Sequence, residues 1–284
     1  RHADAGTVDM IDICTVVFEP ELLYLKAQAR SVELYCANIG IRSILIMVND
    51  ERSVVKKIDP AWWGSLRDRV TVIPRQAFST NFPEHGWLGQ QTLKMLGAAA
   101  SYNTWCMVLD AKTIFVNPFE LSELMDAQQR PNTGIRTIQP VFEPSRVRVS
   151  KLFDIDQQHV LGPAGVPFLF HTRSVRAMIA DVERRVQQPF TNWFHAQGMI
   201  TEFILYSGFL QSQGQLDQLY NIDSNIIECN NLCHSEVSQF ETKFQTMPSS
   251  HTVSVHRGAW SQLTADQQQR YQDFLRSRGI AAEW

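Results

Sequence analysis

Four short runs of almost unbroken apolar, β-favouring residues constrain this chain more than any other feature. They are 12–18 (DICTVVF), 42–48 (RSILIMV), 70–73 (VTVI) and 105–109 (WCMVL). Runs of this length without polar alternation suit strands buried on both faces, and such strands belong to parallel sheets covered by helices. The segments between them have helical spacing. Pro20 stands at a first helical position, and Leu22, Leu23, Leu25, Ala29, Val32 and Leu34 fall mainly on one face before Gly40 closes the segment. Trp87 to Ala100 repeats the pattern with Leu88, Gln91, Met95 and Ala98. Strand and helix therefore alternate through the first 125 residues. That alternation predicts an α/β fold with a mostly parallel central sheet, flanked by helices and joined by right-handed crossovers.

The second half is less regular. Strands are expected at 114–116, 135–141, 166–170 and 252–256, and helices from Pro118 onward and at 173–186, 201–213 and 264–278. With no repeat, linker or charge block, residues 1–284 read as a single domain. About 10–125 form its first half, and about 126–284 are built around that sheet. A hydrophobic share of 44% and a charged share of 19% exclude disorder. The longest apolar runs, such as Ile44 to Val48, are too short to cross a bilayer, so no transmembrane segment is expected. The chain opens on Arg1 and His2 with no apolar signal run, and its five Cys are odd in number and widely spaced. Both features point to a reducing cytoplasm, with Cys14 and Cys106 as core residues. Twenty-six basic against 29 acidic residues give a net charge of −3, which argues against a nucleic-acid partner.

Ligands of open α/β sheets bind beyond the carboxyl ends of the strands. Here those ends read Phe18-Glu19-Pro20-Glu21, Asn49-Asp50 and Asp110-Ala111-Lys112. No GxGxxG follows the first strand, which disfavours a dinucleotide site; GxxxxGK[ST] and GxSxG are missing as well. An acid and a base ending a buried central strand argue for a site at Asp110 and Lys112; the plainer alternative is a turn cap beside a solvated edge residue. The ECNNLCH stretch (Cys229, Cys233, His234) lacks the spacing of a structural zinc site and is read as chance. Trp62, Trp63, Phe190, Trp193 and Phe194 are assigned to the core, whereas Trp87, His85 and His171 are kept as cleft candidates.

The runs TVVFEPELLYLKAQARSV, ILIMVND, GWLGQQTLKMLGAA and WCMVLDAKTIFVNPF resemble the nucleotide-sugar-binding half of a GT-A glycosyltransferase. More narrowly, the chain is similar to a bacterial and phage group of GT-A-like proteins. The marks of that group are Gln90, Gln91 and Lys94 on one helix, LDAK at 109–112, Thr201, Glu202, Phe203 and Tyr206 at a helix start, and the pair His256-Arg257. The resemblance covers the chain from about Asp12 to the last helix. It implies a GT-A-like fold and transfer of a sugar from a nucleoside-diphosphate sugar to an acceptor hydroxyl, in bacterial surface-glycan synthesis. The implied partners are the donor and a glycan or other hydroxyl acceptor.

It also implies roles. GT-A enzymes end the fourth strand in Asp-x-Asp and hold a divalent cation, Mn2+ or Mg2+, against the diphosphate. Here the second acid is Lys112. Either this ammonium does part of the cation's work, or Lys112 pairs with Asp110 and a metal rests on Asp110, His256 and water. Arg257 suits a phosphate, and Lys94 reaches the phosphates or snorkels along its helix. Phe18, Glu19 and Asp50 line the base and ribose pocket or serve packing and turns. Glu202 becomes the base that takes the acceptor proton, which favours inversion; a helix-start charge capped by Thr201 is the alternative. Two rival functions remain: a sugar nucleotidyltransferase, and a degenerate GT-A-like scaffold without catalysis.

Overall fold

The computed structural model describes residues 11–79, 82, 86–118, 120–133, 138–156, 165–222 and 229–281. The four apolar runs form β1 (Ile11–Val17), β2 (Ile41–Val48), β3 (Val70–Pro74) and β4 (Trp105–Asp110). Between them lie α1 (Leu22–Tyr35), entered through a 3-10 turn that Pro20 opens, and α2 (Gly86–Ala100). β5 (Ile114–Phe115), α3 (Leu121–Leu124), β6 (Asn132–Thr133) and α4 (Glu143–Phe153) follow. Then come β7 (Phe168–His171), α5 (Thr172–Val186), α6 (Phe190–Ala196), α7 (Glu202–Ser212) and α8 (Leu216–Leu219). The last elements are β8 (Asn221–Ile222), β9 (Cys229–Leu232), α9 (Phe240–Thr246), β10 (Thr252–Val255), α10 (Arg257–Trp260) and α11 (Ala265–Ser277).

The central sheet has the order β3-β2-β1-β4-β7 and is the mostly parallel, helix-flanked α/β arrangement that the alternation predicts. β1 pairs in parallel with β2 and with β4, and β2 with β3. All seven residues of β1 are buried, as a strand covered on both faces requires. Its one acid, Asp12, is paired at the edge where the strand begins. It accepts from Ser43 Oγ at 2.6 Å, from Asn103 Nδ2 at 2.6 Å and from the Ser101 hydroxyl. The polar residues of β1 are therefore tied down by neighbours rather than by solvent.

β7 runs antiparallel to β4, with Trp105 opposite His171 and Val108 opposite Phe168. Reversal sends the entrance of β7 to the carboxyl end of β4 and His171 to the other end. A small second sheet, β5-β10-β9, continues from the exit of β4; Leu232, Phe240, Val253, Tyr271 and Leu275 form its own apolar core. The close seat of α2 on the central sheet depends on Gly97, where a Cβ would lie 2.3 Å from Cys14 Sγ.

Two expected elements differ. The helix expected from Pro118 is the single turn α3, whose N-cap is Glu120, closed by a capping box with Glu123. Of the strand expected at 135–141, residues 135–137 lie outside the described residues. Residues 138 and 139 are irregular, and Pro140–Phe142 is a 3-10 turn. Proline has no N–H for a ladder and pre-sets a turn φ, which explains the outcome. No described helix is long and apolar enough to cross a membrane.

Candidate active site

Beyond the carboxyl end of β4 lies a cavity of about 440 Å³, within the size range of small-molecule sites. Its floor is a chain of alternating charges. Lys94 Nζ lies 2.8 Å from Asp110 Oδ1 and 3.1 Å from Glu202 Oε1, and Lys112 Nζ lies 2.9 Å from Asp110 Oδ2. Gln90 Nε2 also donates to Asp110 Oδ1, at 3.1 Å. The Lys94 and Glu202 side chains are 4% and 1% exposed, against 19% for Asp110 and 14% for Lys112. The last two are therefore the members of the chain that solvent reaches most.

Local structure fixes each group. Lys94 sits one turn before Gly97, so the close approach of α2 to β1 presses its ammonium toward the end of β4. The turn after β4 is closed by Thr113 N–H donating to Asp110 C=O at 2.9 Å. Gln28 of α1 braces it. Its Nε2 donates to the carbonyls of Asp110 and Thr113 at 2.7 and 2.8 Å, while its Oε1 accepts from Thr15 Oγ1 at 2.7 Å. Thr201 is the N-cap of α7, accepting from Ile204 N–H at 3.2 Å, which fixes Glu202 in the first helical position.

Burial and charge act against each other here. Burial disfavours the charged form of Asp110, but Lys112 and Lys94 outweigh it and hold the carboxyl well below its ordinary value. Burial likewise works against the Lys94 ammonium, and Asp110 and Glu202 more than restore it. Burial raises Glu202 despite Lys94. Glu21, from the turn after β1, is 7% exposed, and its Oε2 has no hydrogen-bond partner among the described residues. Burial pushes it up to about 7, with Lys112 pulling the other way.

Of the residues singled out from sequence, Trp87, Gln90, Gln91, Lys94, Asp110, Lys112 and His256 line this cavity, as do Cys229 and Cys233, read from sequence as chance. Phe18, Glu19, Asp50 and Arg257 do not. They gather at the ends of β1 and β2, where Glu19 N–H donates to Asp50 Oδ2 at 3.0 Å, Lys57 pairs with the Glu19 carboxylate, and the Arg257 guanidinium lies 5.3 Å from the Phe18 ring centre. Glu202 lies beneath the cavity rather than in it. It is absent from the lining, and its carboxylate is engaged by Lys94 and faces the side-chain amide of Gln91, whose NH2 is assigned to that side because only a donor satisfies the carboxylate. A group so enclosed is placed to anchor Lys94. A base, in contrast, needs to reach an acceptor hydroxyl.

His171, kept as a cleft residue, is instead at the opposite end of the sheet, against Trp105 and Ser174, because β7 is reversed. His85 lies outside the described residues. Trp63, Phe190, Trp193 and Phe194 are buried in the core. The second wall comes from strands expected at 166–170 and 252–256, but, His256 apart, with no residue marking them as part of a site. Val166, Pro167 and Phe168 bring the entrance of β7 to the cavity, and β9 and β10 contribute Cys229, Asn231 and Ser254. Their signal was at most the polar alternation of CNNL, too short to read.

The residues present do not form a seat for a divalent cation. Such an ion takes about six oxygen ligands. Both oxygens of Asp110 already face ammonium groups, and His256 Nδ1 accepts from Gly258 N–H at 3.1 Å. Among the described residues no group of three or more His, Cys, Asp or Glu could hold a metal. The expected pairing of Asp110 and His256 around Mn2+ or Mg2+ is thus replaced by a lysine–aspartate–lysine chain.

A profile of a family of unknown function (DUF6492) matches residues 21–260. Comparison with curated protein sequences gives no significant match. Three solved structures show a distant likeness. The galactosyltransferase LgtC, in complex with donor and acceptor sugar analogues, is 12% identical, with 94% of this chain and 95% of that chain covered and a TM-score of 0.47. Mouse xyloside xylosyltransferase 1, in its apo form, is 12% identical over 88% of this chain and 99% of that one, with a TM-score of 0.43. The bifunctional glycosyltransferase WbbM, also apo, is 8% identical over 96% of this chain and 50% of that one, with a TM-score of 0.47. Likenesses at this level assign no activity.

Proposed function

The chain belongs to a family of unknown function (DUF6492), and we propose that it is a glycosyltransferase that moves a sugar from a nucleoside-diphosphate sugar to an acceptor hydroxyl, the acceptor being a glycan. One observation carries the reading: Lys94, Asp110 and Lys112 converge in a ligand-sized cavity beyond the carboxyl end of a central parallel strand. Ligands of such sheets bind there, and ammonium groups held by a partly buried carboxylate suit a diphosphate and the negative charge it gains on leaving.

In the proposed step the acceptor oxygen forms a bond to the anomeric carbon. The bond from that carbon to the diphosphate oxygen breaks, its electron pair stays on the phosphate, and the acceptor proton is released to water. Lys112 and Lys94 meet the developing charge, Asp110 holds both ammoniums in place, and Glu202 anchors Lys94 from below. Phe18, Glu19, Asp50 and Arg257, grouped beside the cavity, take the base and ribose. Trp87, 37% exposed at the rim, and the apolar wall of Val166, Pro167 and Phe168 suit the C–H face of a sugar ring.

The test is a panel of nucleoside-diphosphate sugars scored for donor hydrolysis and for transfer, with wild type, Asp110→Ala and Lys112→Ala. Turnover of at least one donor is expected, with each substitution lowering it about 100-fold or more. A panel in which no donor is consumed rules the reading out. A non-catalytic nucleotide binder is favoured by one fact. The two carboxylates that line the cavity are both engaged, Asp110 by lysines and Glu123 by Glu120 N–H at 2.7 Å and by His251 at 3.3 Å. Thermal shifts without turnover in the same panel identify that case.

A further inference from the structure

We propose that the ammonium groups of Lys94 and Lys112 take the place of a divalent cation, so that the diphosphate end of the donor binds with no metal ion present. This rests on the reading just given, because it concerns how the same donor is held. The charge arithmetic favours it. One dication with two carboxylates sums to zero, and so do Lys94 and Lys112 with Asp110 and Glu202. The four groups thus reproduce the net charge of a metal-loaded acidic pair, with the positive charge built into the chain. A metal entering beside Asp110 would have to push away Nζ atoms 2.8 and 2.9 Å from its oxygens and then sit among like charges.

The two lysines differ in a way that divides the work. Lys94 is enclosed by Asp110, Glu202 and the Phe203 ring, whose centre lies 5.3 Å from its Nζ. It is a fixed charge, as a bound metal would be. Lys112 is more open, and the ion pair that holds it is the one to Asp110 Oδ2. Its ammonium carries three donors on a flexible stem, so it can keep one hydrogen bond to Asp110 and offer the others to a phosphate oxygen. Burial and the Asp110 carboxylate act on Lys112 in opposite senses, and the carboxylate prevails, so the ammonium stays charged.

Calorimetric titration of the full chain with inorganic pyrophosphate, UDP and GDP, first in EDTA and then in MnCl2, tests the proposal. At least one probe is expected to bind in EDTA, with a Kd within about threefold of that in Mn2+ and a steep weakening with added NaCl. Lys112→Met should weaken that binding about tenfold or more, and Lys112→Arg should keep most of it, because the charged hydrogen bond is what is lost. Circular dichroism confirms that both variants fold, as expected for a side chain at the cavity surface. Binding seen only with Mn2+, binding unchanged in Lys112→Met, or no binding of any probe overturns the proposal. Donor turnover that requires Mn2+ sinks the metal-free site and leaves glycosyl transfer standing. Metal-free pyrophosphate binding in a chain that consumes no nucleotide sugar does the reverse.

Discussion

Replacing Lys94 with Met removes the cation that, among the described residues, Glu202 is paired with beneath the cavity. Asp110 keeps Lys112 and Gln90, whereas Glu202, 1% exposed, keeps the Gln91 amide and its own backbone N–H, neither of them charged. Breaking a buried pair on one side costs about 3–5 kcal/mol. The sign of the pH dependence follows from Glu202. Burial already holds its carboxyl above the ordinary 4.5 even with Lys94 opposing, and without Lys94 it rises further. The folded variant then binds a proton that the unfolded chain has released. Stability is therefore fully present below the unfolded value and falls as pH rises toward the folded one, by up to about 1.4 kcal/mol per pH unit. Urea denaturation at pH 5, 6, 7 and 8 measures both effects. Lys94→Met/Glu202→Gln should recover most of the loss and flatten the pH dependence, since removing both charges leaves none stranded. A loss under about 1 kcal/mol at pH 7, or a double variant no better than the single, would refute the reasoning.

Glu21→Gln should stabilise the chain at pH 8 by roughly 1–3 kcal/mol and flatten its stability between 4.5 and about 7, where the wild-type acid loses stability as pH rises; thermal denaturation across that range reads it. Asp110 has the opposite sign. Its depressed pKa contributes stability above the unfolded value of 3.8 that is lost as pH falls below it, so Asp110→Asn should shallow the acid limb of an unfolding curve. Gln28→Ala takes a donor from the Asp110 and Thr113 carbonyls, the first of which keeps the Thr113 N–H, and leaves the Thr15 hydroxyl without its acceptor; a loss of about 1–3 kcal/mol in urea denaturation and weaker pyrophosphate binding are expected. Gly97→Ala puts a methyl group against Cys14 Sγ and should cost about 1–3 kcal/mol, with Cys14→Ala in the same chain restoring much of it.

The four parallel strands and the two helices between them were legible because β-favouring apolar runs, buried in β1, β2 and β4 and half-buried in the edge strand β3, leave no polar alternation, and amphipathic helices repeat at 3.6 residues. Asp110, Lys112 and Lys94 were legible for a related reason: charged residues at the end of an apolar run, or on a helix packed against it, are out of place unless something holds them. Their mutual arrangement was not. Nothing in the spacing of 94, 110 and 202 says that one ammonium bridges two carboxylates, because that contact depends on how close Gly97 lets α2 approach. His171 was misplaced for want of strand direction, which short runs do not encode. Gln28 passed as one more polar residue on a helix, though it is 1% exposed and braces the turn that carries the site.

The reversal of β7 has a consequence for how such a protein can diversify. One side of the cavity is written in 94–112 and is locked into the sheet; the adjoining side comes from 165–169, where the chain arrives at its last central strand beside β4. Substitutions in the arriving segment can reshape the surface beside the charges without touching the Lys94, Asp110 and Lys112 ion pairs. What is gripped at one end and what is admitted at the other are thereby free to change independently.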